Sequence, residues 1–202
     1  MKLITLLLAF SLAVFAVACN GDDDDGGPAA TSTPSDAQPT APAPEGNVPG
    51  TPVGQGSTES FFFPASPDPA TVPSLLVDVR VGAHPEDGGF DRIVFEFEDA
   101  QRPSGIVGYK DEVSQCGSGQ PVDPEGSETL AVHFDFTNAH TEAGELSIPS
   151  TTVDGPGNSI LEAISTCDFE AVGEWAIGVD GKKPFTVTLL DNPNRIVIDV
   201  AH

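Results

Sequence analysis

The sequence predicts an all-β fold, an antiparallel β-sandwich with at most one short helix, preceded by a disordered tether. Two observations carry that prediction. Beyond residue 74, apolar residues recur with a period of two, the spacing of a strand with one buried face. Clusters of Gly, Asp, Asn and Pro break the chain between those runs, too often for long helices. A third observation sets the boundary: the stretch before residue 74 has no hydrophobic period and is crowded with proline and glycine.

Residues 1–18 open with Met1 and Lys2 and continue as an almost unbroken apolar run to Ala18. A positive start, a short apolar stretch and small residues at its end read as a secretory signal peptide. The run also lies at the lower edge of what a membrane span needs, so an uncleaved anchor is the competing reading. Its ending decides between them. Ala16-Val17-Ala18-Cys19, followed by Asn20-Gly21, resembles the bacterial lipobox, with alanine at the place usually held by leucine. That resemblance makes Cys19 the lipid-attachment residue and palmitate-type acyl chains the anchor. Two buried acyl chains hold a protein stably at a membrane where one is marginal.

Residues 19–73 form the expected tether, roughly 40 Å long as a coil and about 170 Å if fully polyproline-like. The run Asp22–Asp25 lacks the spaced ligands and turn glycine of a calcium loop and reads as a solvated charge run. Phe61-Phe62-Phe63 is the exception within the tether. Three exposed phenylalanines are a liability, so this patch is expected to dock on the domain.

Residues 74–202 form the expected domain. Val77, Val79 and Val81 alternate with Asp78 and Arg80, and Ile93, Phe95 and Phe97 with Val94, Glu96 and Glu98. Leu130, Val132, Phe134 and Phe136 alternate with Ala131, His133, Asp135 and Thr137. Three further runs carry Trp175, Ile177 and Val179, then Phe185, Val187 and Leu189, then Ile196, Ile198 and Val200. Asp180-Gly181 stands between two of these runs as the clearest hairpin signal. The one stretch with room for a short helix is Ser159–Ser165.

The chain holds 31 acidic and 8 basic residues, a net charge of −23. Such a surface repels polyanions, which excludes nucleic acid and makes anionic headgroups poor partners. Of three cysteines, Cys19 belongs to the export signal, leaving Cys116 and Cys167. A pair in an exported chain reads as a disulfide, and its wide separation does not suit zinc, which favours close pairs with further ligands.

The sequence offers no catalytic constellation, no metal site and no cofactor motif. His84, His133, His140 and His202 are scattered, and no G-x-S-x-G turn is present. His133 stands beside Asp135 on the outward face of its strand, and Glu96 shares a face with Glu98. In so acidic a chain, paired carboxylates carry little information, although a glycosidase needs only two.

Val79–Phe97 (VRVGAHPEDGGFDRIVFEF) and the closing segment Pro193–Val200 (PNRIVIDV), with Phe169-Glu170, Trp175–Gly178 and Pro184-Phe185, resemble the AMIN-like domain of bacterial lipoproteins. That domain is similar to the AMIN domain of cell-wall amidases and secretins. The resemblance covers roughly residues 75–202. It implies a β-sandwich that binds or localises to the cell envelope, with peptidoglycan glycan or an envelope protein as partner and no catalysis of its own. It assigns no binding residue. From the residues alone, Arg92 and Arg195 each open an apolar strand and are expected to pair with a carboxylate such as Asp91 or Asp199, while Gly89 and Gly178 suit a bulge or turn. The resulting expectation is a monomeric, exported lipoprotein, anchored through Cys19 with its domain on the extracytoplasmic side. Two other readings stay open: a carboxylate-dependent cell-wall glycan hydrolase, and a module that accepts a partner strand at a sheet edge.

Overall fold

The computed structural model describes residues 52–67, 71–85, 89–98 and 101–202; the expected signal peptide, Cys19 and Asp22–Asp25 lie outside these. Two six-stranded sheets pack face to face. The first has the order β1 (Pro52–Ser57), β13 (Phe185–Leu190), β14 (Asn194–Ala201), β4 (Phe90–Glu98), β3 (Ser74–His84), β9 (Thr137–Asn138). The second has the order β10 (Thr152–Asp154), β11 (Ile160–Phe169), β12 (Val172–Val179), β8 (Glu128–Asp135), β5 (Ser104–Lys110), β2 (Phe61–Phe63). A small hairpin, β6 (Val113–Ser114) with β7 (Pro121–Val122), projects from the connection between β5 and β8. All pairs are antiparallel except β3 with β9.

The period-two residues fill the space between the sheets. Phe95 meets Phe134 edge-on at 5.0 Å and Trp175 at 5.6 Å, so β4 of one sheet is locked against β8 and β12 of the other. Ile177, Val187, Ile196, Ile198 and Val200 are fully buried in the same cluster. Edge-to-face aromatic contacts of this kind add about 0.5–1.5 kcal/mol each beyond the area they bury.

Several expectations change. Residues 52–57 and 61–63 had the composition of tether, yet they are edge strands, one in each sheet, so the folded unit reaches back at least to Pro52. β1 is rich in glycine and serine and carries two register shifts against β13, which is why no clean alternation marks it. The Phe61–Phe63 patch does dock, as β2 against β5, with Phe63 fully buried and Phe62 exposed. No helix forms over Ser159–Ser165: residues 160–165 begin β11, paired along β12. β3 shifts register between Leu76 and Asp78, so Leu76 and Val79 face inward where Val77 was expected. Phe136 leaves its alternation because the strand ends at Asp135; its φ is 57° and its ring is 42% exposed.

Asp180-Gly181 is not a hairpin turn. It carries the chain from β12 in the second sheet to β13 in the first. The tight reversal falls instead between β11 and β12, at Glu170 and Ala171, which adopt φ of 50° and 59° without a glycine to announce the turn.

Cys116 and Cys167 are joined in a disulfide, with Cα atoms 5.2 Å apart and a sequence separation of 51. Closing a loop of that length stabilises the fold by about 4 kcal/mol through the unfolded chain.

Candidate functional site

The two arginine-led segments, far apart in sequence, are neighbours in space. β4 and β14 pair antiparallel with Arg92 opposite Asp199, Val94 opposite Val197 and Glu96 opposite Arg195. The segment R-I-V-F-E therefore lies against R-I-V-I-D so that each arginine faces the other segment's carboxylate. Sheet parity explains the rest. Ile93, Phe95 and Phe97 with Ile196, Ile198 and Val200 enter the core, which turns Arg92, Val94, Glu96, Arg195, Val197 and Asp199 to the outer face.

That face is organised by charge pairing. The Arg92 guanidinium donates two hydrogen bonds to Asp199, Nε to Oδ1 at 2.6 Å and Nη2 to Oδ2 at 2.9 Å, the two-pronged geometry that only arginine offers. Arg92 also lies over the Phe90 ring at 5.0 Å, and Phe90 stacks on His84 at 5.0 Å. On the neighbouring strand, Arg80 donates to Asp78 at 2.5 Å and to Glu96 at 3.0 Å. Burial opposes the Arg80 charge, but the hydrogen bonds and charges of Asp78 and Glu96 outweigh it and hold its pKa above the ordinary value. Arg195 donates from Nε to the Pro193 carbonyl at 3.3 Å, so the expected carboxylate partner is not the one this nitrogen takes.

Three of the chain's four arginines thus stand on three adjacent strands of one face, among Asp78, Glu96 and Asp199. In a chain of net charge −23, this face sets the three cations Arg80, Arg92 and Arg195 among the four anions Asp78, Glu96, Glu98 and Asp199. Two concavities flank it. One, about 550 Å³, is lined by Phe90, Arg92, Thr186, Thr188, Val197 and Asp199. The other, about 700 Å³, lies by the β13–β14 turn and is lined by Val77, Glu96, Glu98, Asp191 and Pro193. In the first concavity, an apolar floor beside the paired Arg92 and Asp199 suits a neutral, hydroxyl-rich ligand, because that pair needs no counter-ion from it.

The other expected residues fall elsewhere. Asp91, offered as a partner for Arg92, points the opposite way and is fully buried. Its Oδ2 accepts from the backbone N–H groups of Ser159 (2.6 Å) and Ile160 (3.0 Å), and its Oδ1 meets His202 Nε2 at 2.9 Å and Asn158 Nδ2 at 3.4 Å. Burial works to raise its pKa, but these four partners prevail and hold it below the usual carboxylate range. Asp91 stands between His202 and Ser159, and the Ser159 hydroxyl donates to the Ala201 carbonyl at 2.7 Å. This order of groups is a clamp, not the acid–imidazole–hydroxyl sequence of a nucleophile relay. His133 does face outward, with Asp135 at 3.1 Å and Glu174 at 2.9 Å on its two ring nitrogens. His140 meets Asp168 at 2.7 Å. Among the described residues, no three His, Cys, Asp or Glu side chains stand together as a metal site.

Gly178 sits flush against the Glu125 carbonyl, where any Cβ would collide with backbone, and Gly89 takes a φ of 75° beside His202. Gly89 is thus the turn glycine its position suggested, whereas Gly178 lies within β12 and is required for the close approach of the Glu125 backbone.

The fold is an all-β sandwich whose first sheet carries paired arginines and carboxylates on its outer face. The sequence profile of the AMIN-like domain family matches residues 74–202, and the chain belongs to that family. An AMIN-like domain suggests a module that binds peptidoglycan or another envelope component. Neither a curated protein nor a solved structure is similar enough to the chain to be matched to it. Strands β1 and β2 lie ahead of the matched segment, so the profile stops short of two strands of the sandwich.

Proposed function

We propose that this protein is an exported lipoprotein, held at the membrane through Cys19, whose non-catalytic domain binds cell-wall glycan on the outer face of the first sheet. The observation that carries the reading is the arginine–carboxylate ladder of Arg92, Asp199, Arg80 and Glu96 beside the Phe90–Thr188–Val197 cleft. Carbohydrate rings present apolar C–H faces and hydroxyls that both donate and accept, and this surface offers a counterpart to each. Strand addition is the weaker alternative. Edge strands β2, β9 and β10 have three residues or fewer, and β1 is irregular, which makes each a poor template. Hydrolysis is the weaker reading too: of the carboxylates lining the cleft by the β13–β14 turn, Glu96 accepts from Arg80, Asp191 accepts from Arg102 and Glu98 is exposed, so none sits in the buried, unpaired setting that makes a general acid.

Sedimentation with purified sacculi tests the site. The wild-type protein should pellet, and Arg92→Ala should weaken binding roughly tenfold, the loss of about 1.4 kcal/mol. Wild-type protein left in the supernatant, or Arg92→Ala pelleting equally well, would remove glycan recognition at this face; binding to intact envelopes but not to sacculi would point to a protein partner.

The anchor is tested separately. A fatty-acid analogue should label the wild type and leave Cys19→Ser unlabelled, and label persisting in that variant would mean the anchor lies elsewhere.

A further inference from the structure

An arm, residues 111–123, lies over the outer face of the second sheet. The arm leaves β5 at Lys110 and is a hairpin of two ladder pairs, Val113 with Val122 and Ser114 with Pro121. Its return root is firmly fixed. Pro124 is buried, Glu125 N donates to Glu162 Oε2 at 3.0 Å, and Ser127 N donates to the Val179 carbonyl at 3.0 Å.

The arm itself is held very differently. None of residues 111–123 is buried, and none belongs to the hydrophobic core. Beyond its roots, three links tie it to the sheet. They are the Cys116–Cys167 disulfide, a hydrogen bond from Cys116 N to the Thr166 carbonyl at 3.0 Å, and one from Gln115 Nε2 to the Ser165 carbonyl at 3.3 Å. Beneath it remains a cavity of about 140 Å³ between Glu112, Val113 and Ser114 on the arm and Thr166 and Glu174 on the sheet. Two hydrogen bonds over a partly hollow contact cannot offset the entropy of ordering an arm of this length. The covalent bond is what keeps it down.

We propose that the disulfide is the latch of a redox-operated flap: reduction lifts residues 111–123 from the outer face of the second sheet while the sandwich stays folded. The reductant is a dithiol. Its thiolate attacks the sulfur of Cys116, the exposed partner, forming a mixed disulfide and releasing Cys167 as a thiolate. The second thiol then displaces Cys116, so the dithiol leaves as a disulfide and two protein thiols remain. Cys167, only 7% exposed under the arm, becomes accessible as the arm departs.

The lone tryptophan makes the test decisive, because Trp175 is 2% exposed and packs on Phe95 inside the sandwich. Folded protein is treated with dithiothreitol, two free thiols are confirmed, and a glutamate-specific protease is added. Cleavage at Glu112 should accelerate roughly tenfold or more, in step with the open population, while Trp175 emission stays at its buried wavelength. Cys116→Ser with Cys167→Ser should reproduce the reduced pattern; where that variant fails to fold, the protein reduced in place gives the same readout. Unchanged cleavage, a red-shifted Trp175, or a bond that resists dithiothreitol in the folded protein would each overturn the flap.

Discussion

Asp91→Ala should lower the unfolding free energy by about 3–5 kcal/mol, a large part of the ~5–15 kcal/mol that a domain of this size commands. The carboxylate is fully buried and ties three parts of the chain: the start of β4, the backbone entering β11 and His202. Alanine would strand the buried N–H groups of Ser159 and Ile160, at about 1–3 kcal/mol for each donor left unpaired. Urea unfolding followed by Trp175 fluorescence measures the change. A loss below about 1 kcal/mol would show that water replaces the carboxylate and that the clamp contributes little. Because the folded pKa is depressed, the Asp91 contribution is fully present above the unfolded value near 3.9 and disappears as pH falls through the folded value. Acid should therefore destabilise the wild type more than Asp91→Asn. Asp78→Ala is the contrast: its exposed ion pair with Arg80 should contribute no more than about 1 kcal/mol.

A fragment beginning at residue 74 should fail to fold stably, although the family match begins there, whereas one beginning at residue 50 should unfold cooperatively. The shorter fragment loses β1 and β2 and with them Phe63, which is fully buried and lies 6.0 Å from Phe134. Gly105 shows how closely that ring is seated, since a Cβ there would collide with it. Phe63→Ala in the longer chain should cost about 3–5 kcal/mol, the usual range for emptying an aromatic site in a core. Circular dichroism and thermal unfolding of the two fragments decide the matter. A stable fragment 74–202 would mean that β2 merely lies on the sandwich.

How much of this was legible in the sequence depends on the range of the force involved. Alternation is local, so Ile93–Phe97, Leu130–Phe134, Phe185–Leu189 and Ile196–Val200 could be read directly: each strand carries its own record of which face is wet. The Cys116–Cys167 bond was also readable, because with Cys19 expected in an export signal the two remaining cysteines have one pairing to make.

The sequence by itself determined an all-β domain, its principal core residues and its disulfide. Only the tertiary structure decided which strands are partners, because pairing is a contact between distant segments that no local pattern records. It carried Asp180-Gly181 between sheets, hid the true turn in Glu170 and Ala171, and recruited the proline-rich segment at residue 52 to an edge. It also set R-I-V-F-E against R-I-V-I-D, making Arg92 a partner of Asp199 across 107 residues while its neighbour Asp91 turned inward. The physical reason is parity: adjacent strand residues face opposite ways, so one register fixes both the open ladder and the buried clamp.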